Sequence, residues 1–203
     1  MTLTGSHQMN ARLWGSTRLK PDMRLSETEL VGRGNQIQQL LRPICRWSAG
    51  PAWKRIPLGT SRIIIATHDG SPSSSHFRDW RFAIEARKYH ALYFEAWSFE
   101  ARNRYVLDQA YLNIYERDGA SEKEVVCLHC DPSLPPNADH AKYKRGPHIH
   151  LSAAGFPYDR AHIPLQGPDL TPVLRSTEAL QSALMWGVEM IRDEILVLLR
   201  RQS

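Results

Sequence analysis

The chain has 203 residues, 42% of them hydrophobic and 23% charged, ordinary proportions for a globular protein long enough to bury a core without staples. No apolar run approaches the roughly 20 residues that a membrane span needs, and the first residues lack the hydrophobic stretch of a secretory signal. Three cysteines are odd in number and too few for a disulfide framework, so the composition predicts a cytoplasmic protein with reduced thiols and no membrane partner.

The net charge of +5 is unevenly spread. Residues 1–62 hold ten Lys and Arg against three Asp and Glu, which leaves +7 there and −2 in the rest. Trp14, Trp47 and Trp53 lie in the same stretch, so basic charge and stacking surface together suit RNA or another polyanion. A solvated arm, or one resting on an acidic partner protein, fits the same composition.

In chain order, residues 1–25 lack periodicity and read as a flexible arm. Ser26 and Glu29 have capping-box spacing, and Ile37, Leu40, Leu41 and Ile44 recur at helical intervals, with Gly32 and Gly34 weakening the middle and Pro43 limiting the end. The pattern predicts one or two short helices. Residues 50–59 read as a loop, and Arg62 to Thr67 as a β-branched strand followed by a turn at residues 69–75. We therefore divide the chain into a basic N-terminal extension with short helices, residues 1–60, and a sheet-and-helix domain, residues 61–203.

Strand character dominates from Arg81 onward. Residues 82–100 are rich in aromatics, and along residues 105–116 the set Tyr105, Leu107, Gln109, Tyr111, Asn113 and Tyr115 alternates with its neighbours, which predicts three tyrosines on one face. Asp118 and Gly119 mark a turn, after which Val125 to His129 returns as the hairpin partner. A polar, proline-rich loop over residues 132–146 leads to a short strand at His148 to Ala153. Ser176 is placed to cap a last helix, with Glu178 in its first turn and an apolar stripe of Leu180, Leu184, Val188, Ile191, Ile195 and Leu198. The expected fold class is α+β: an antiparallel β-sheet packed against a long C-terminal helix, with a basic, partly flexible N-terminal extension.

Chemistry concentrates in residues 127–162, which hold five of nine histidines and two of three cysteines. On a strand, His148 and His150 point to one face. Imidazole titrates near neutrality and also ligates metals, so two readings stand side by side. In the first, His148 and His150 move protons at a phosphodiester without any cofactor, Lys142, Lys144 and Arg145 hold phosphate, Asp131 orients an imidazole, and Tyr143 or Tyr158 stacks or donates a proton. RNA suits such a site, because its 2′-hydroxyl is an internal nucleophile. In the second, Cys127, His129, His148 and His150 bind zinc from two adjacent strands, in a non-enzymatic nucleic-acid- or protein-binding module. Cys130 would then face away from the site.

The order of these features, a strand ending at Asp131, a polar loop, the His148 and His150 pair, Pro157-Tyr158 and a helix opening at Ser176, resembles the small toxins of bacterial toxin–antitoxin pairs typified by TumE. The resemblance spans about Arg62 to Arg192. It implies a compact sheet-and-helix fold, a defence-type or toxic ribonuclease activity and a cognate antitoxin partner, with Asp131, His148, His150 and Tyr158 at the carried-over positions. This chain differs in its basic N-terminal segment, in Pro132 directly after Asp131, and in the length of the loop before the histidines.

Overall fold

The computed structural model describes residues 23–72, 74–86, 88–135, 137–139, 141–151, 161–166 and 169–201, with backbone alone at residues 142, 161, 200 and 201. Helix α1 (Glu27–Leu41) opens at Ser26, whose hydroxyl accepts from the Glu29 amide while the Glu29 carboxylate accepts from the Ser26 N–H. This is the reciprocal cap that the spacing predicts. Strands β1 (Ala52–Leu58) and β2 (Arg62–His68) follow, then a 3-10 turn at Phe77–Asp79, the short β3 (Phe82–Ala83), β4 (Tyr89–Phe99), β5 (Tyr105–Asp118) and β6 (Ser121–Cys130). Helix α2 (Ala141–Lys144), β7 (His148–Leu151), β8 (Ala161–Pro164) and α3 (Thr171–Leu174) lead to α4 (Thr177–Met190), which runs through a π turn at Ile191–Ile195 into α5 (Leu196–Arg201).

The eight strands form one sheet in the order β1-β2-β4-β5-β6-β7-β8, with β3 pairing β4, and every pairing is antiparallel. Chain neighbours are sheet neighbours almost throughout. Alternation then sorts the side chains: Ile63, Ile65, Tyr93, Trp97, Leu112, Leu128 and Ile149 join the buried residues of α1, α4 and α5 in the main core. The opposite face carries a smaller apolar cluster of Ile64, Ala66, Trp80, Leu92, Phe94 and Ala96. Ser176 caps α4 by accepting from the Ala179 amide at 3.2 Å, as its position in the sequence suggests. The architecture is the expected α+β sheet packed against the C-terminal helix.

Four local readings change. Residues 52–58, expected as a loop, are the edge strand β1, where Pro57 is tolerated because only one side of the strand is paired. With α1 in the main core and β1 paired to β2, the sheet-and-helix body reaches back across the boundary drawn at residue 60. In β5 the pairing with β4 skips Asp108, since Ala96 faces Gln109 and Trp97 faces Leu107. This bulge flips the alternation, so Tyr105 lies in the main core while Tyr111 and Tyr115 share the other face. Finally, the π turn adds a residue to the helical rod and rotates its stripe by one position: Leu196 is fully buried and Leu198 is 58% exposed. Among the described residues no helix is long and apolar enough to cross a membrane.

Candidate functional site

Two rows of side chains cross β5 to β8 on the sheet face opposite the helices. Strand register aligns Tyr111 with His129, His129 with His148, and His148 with Pro164; the next row aligns Asn113, Cys127, His150 and His162. The histidine pair of β7 is thus flanked by His129 on β6 and by His162 on β8. Alternation within each strand puts the imidazoles on one face, and antiparallel register brings them together across the strands.

Ring centres lie 4.5 Å apart for His129 and His150, 4.8 Å for His148 and His150, and 3.9 Å for His150 and His162. The ligating atoms of His129, His148 and His150 all fall within 4.8 Å of one another. That span is wider than the roughly 3.4 Å between nitrogens that Zn–N bonds of about 2.1 Å would set in a tetrahedral site, so ligation would require the rings to turn inward. The Cys127 thiol, in the same row as His150, does not belong to this group, and Cys130 faces the main core.

His148 is the best defined of the three. Its Nδ1 lies 2.8 Å from the Gly146 carbonyl, an acceptor only, so in the neutral ring Nδ1 carries the proton and donates it. Nε2 then keeps its lone pair, and it is buried with no hydrogen-bond partner. Burial is the main reason its pKa falls to about 4, helped by His162 and Lys144 and opposed by the Gly146 carbonyl. A neutral imidazole held through one nitrogen by a backbone carbonyl, with the other nitrogen buried and its lone pair free, is the arrangement used by metal-ligating histidines.

Asp131 follows directly on β6. Its carboxylate accepts a hydrogen bond from the Tyr111 hydroxyl, and the Tyr111 ring lies flat on His129 at 3.9 Å and 10°. Burial pushes the Asp131 carboxyl up to about 6, against the lowering effects of Tyr111 and Lys144, and the same burial together with Asp131 raises the Tyr111 hydroxyl. The charge of Lys144, on α2, acts on both Asp131 and His148. No protein-family model, curated protein or solved structure matches this chain.

Of the positions singled out in the sequence, the structure gathers Asp131, His129, His148, His150 and Lys144. Arg145 turns elsewhere: its guanidinium donates to the Pro132 carbonyl at 3.3 and 3.2 Å, and its own carbonyl accepts from the Cys130 thiol. Tyr143 is 42% exposed on α2. Tyr158 and the side chain of Lys142 lie outside the described residues. Two site members go unnamed by the sequence: Tyr111, visible there only as one of three strand tyrosines, and His162, visible only as the last histidine of the run.

Proposed function

We propose that the chain is a metal-dependent phosphodiesterase of ribonuclease type, with a single ion held by His129, His148 and His150. The observation that carries this reading is the convergence of ligating nitrogens of His129, His148 and His150 within 4.8 Å, with His148 held through Nδ1 by the Gly146 carbonyl and its Nε2 buried. Three protein ligands leave a fourth position for water, the arrangement of catalytic rather than structural zinc. Metal-free proton transfer by His148 and His150 asks for rings open to the substrate, yet both are buried. Burial suits ligation, which needs neutral rings and a dry shell.

Held by His129, His148 and His150, such an ion would acidify a water and polarise a phosphoryl oxygen. The net reaction would join the oxygen of a water to phosphorus and release the leaving oxygen carrying that water's proton. Lys144 stabilises the charge that gathers on the phosphoryl oxygens, and Tyr111 keeps the His129 ring in place by stacking. The resemblance to TumE-like toxins supports RNA as the substrate and a cognate antitoxin as the partner that silences the site.

Metal analysis and RNA cleavage on the purified full chain test this together. About one zinc per chain is expected, lost in His148→Ala, with cleavage abolished by a chelator and restored by zinc. Cleavage that persists after the metal has been removed overturns the metal-dependent reading. Zinc without cleavage, with a lower melting temperature once it is removed, makes the chain a non-enzymatic zinc-containing binding module instead.

A further inference from the structure

The histidine face does not end at the histidines. Phe77, on the 3-10 turn, meets Phe94 edge-on at 5.3 Å; Phe94 meets Tyr111 at 5.2 Å; and Tyr111 lies on His129. The His76 ring stacks parallel to Phe77 at 5.7 Å and 11°. A continuous track of rings thus runs from the 3-10 turn into the candidate metal centre. Phe94 is its buried base, Phe77 and Tyr111 are half-buried, and His76 is exposed.

Over this track lies Arg78, exposed, with its guanidinium carbon 5.6 Å from the Phe77 ring centre and 5.5 Å from that of Phe94. Its charge also reaches Tyr111. Among the described residues no carboxylate pairs with Arg78, whereas Arg81, three residues on, is bound to Glu122 at 2.8 Å. At the histidine end, the charge of Lys144 acts on both Asp131 and His148. A planar cation therefore rests on aromatic faces at the 3-10-turn end of the track.

We propose that His76, Phe77 and Arg78 form a binding track for unstacked nucleotides of single-stranded RNA, leading the strand into the histidine centre. Aromatic rings and the guanidinium plane offer faces on which bases stack, and the cations attract phosphates. Bases inside a duplex already use both faces, and duplex RNA presents its backbone and 2′-hydroxyls instead. The track therefore distinguishes single strands from duplexes without reading sequence. The inference rests on the phosphodiesterase reading only for the direction in which the strand travels.

The plainer role for Arg78 and Phe77 is to cover the apolar cluster around Phe94. The two roles separate in a binding assay on the full-length protein kept metal-free with chelator, so that no cleavage intervenes. The probe is a labelled single-stranded oligoribonucleotide of about ten nucleotides, within the span of one such platform, compared with the same strand in a duplex. The single strand should bind more tightly, and Arg78→Ala and His76→Ala, both at exposed positions, should each weaken it by about tenfold, the loss of one stacked base. Arg78→Lys, which keeps the charge and loses the plane, should recover part of that loss.

Zinc binding measured on the same variants should be unchanged. Equal affinity for single strand and duplex overturns the proposal, as does Arg78→Ala that lowers the melting temperature and leaves affinity intact. If zinc fails to bind while the single strand binds as described, the metal reading falls and the track stands. If zinc binds and the oligonucleotide does not, the track falls alone.

Discussion

Arg33 shows how far a residue's meaning depends on where it lands. By sequence it is one of the ten cations of the N-terminal segment. In the structure it is 1% exposed and bound to the fully buried Glu95, with Nη2 and Oε1 2.7 Å apart. Glu95 also accepts from the Tyr93 hydroxyl and the Trp97 indole, while Arg33 donates to Gln36 and Gln181. Removing one partner strands the other charge away from water, so Glu95→Ala should cost about 3–5 kcal/mol in denaturant unfolding. A cost below about 1 kcal/mol would mark a pair as solvated as a surface one.

His68 gives the pH counterpart. Its Nδ1 accepts from the Gly70 amide at 3.1 Å, and its ring meets Trp80 edge-on. Burial, chiefly, lowers its pKa from 6.5, with Lys54 adding to this and Asp69 opposing it. The folded state thus prefers the neutral ring: its contribution is intact above about 6.5 and is lost as pH falls below that. Acidification should shift the Gly70 amide resonance as the ring protonates and the hydrogen bond breaks. At this scale the sequence shows which histidines share a strand face, since period two is written in the chain. It does not show that Tyr111 meets both His129 and Asp131, because that contact depends on register between strands.

Elements were legible where the signal is local. The Ser26 and Glu29 box and the Ser176 cap stand as expected because each involves atoms three residues apart. Glycines within α1 are harder to read, since their cost and their use lie at different scales. A Cβ on Gly34 would sit 2.4 Å from the Trp53 ring, whereas one on Gly32 would meet nothing within 4 Å. Gly32→Ala should therefore stabilise by up to about 1 kcal/mol through helix propensity, and Gly34→Ala should destabilise by about 1–3 kcal/mol as β1 is pushed off the helix. Melting of the two variants side by side, with Trp53 fluorescence as the local probe, checks the contrast. The same limit explains the bulge at Asp108 and the π turn: each inserts one residue and shifts the phase of everything after it. Buried Leu196 in place of Ile195 is the trace that shift leaves.

At the scale of the whole molecule, much of the N-terminal positive charge is already answered. Arg24 pairs with Glu100, Arg33 with Glu95, Arg55 with Glu27 and Arg62 with Asp108. What composition alone reads as a basic arm is in part a set of ties between α1, strands β1 and β2, and the body. Arg12, Arg18 and Lys20 lie outside the described residues, which begin at Met23, whose amide donates to the Leu174 carbonyl. Leu25 then exchanges both backbone hydrogen bonds with Tyr105, so a deletion that spares the fold must end at residue 22. If residues 1–22 meet RNA phosphates, each neutralised phosphate releases condensed counterions, and removing three cations should lower the slope of log affinity against log salt by about 2 for a single strand. Arg24 and Arg55, held by carboxylates at the surface, should change that slope little when replaced by Gln. Affinities measured across a salt series on the full chain, the 1–22 deletion and Arg55→Gln decide the matter. An unchanged slope in the deletion would assign the phosphate contacts to the sheet face that carries the histidines and Arg78.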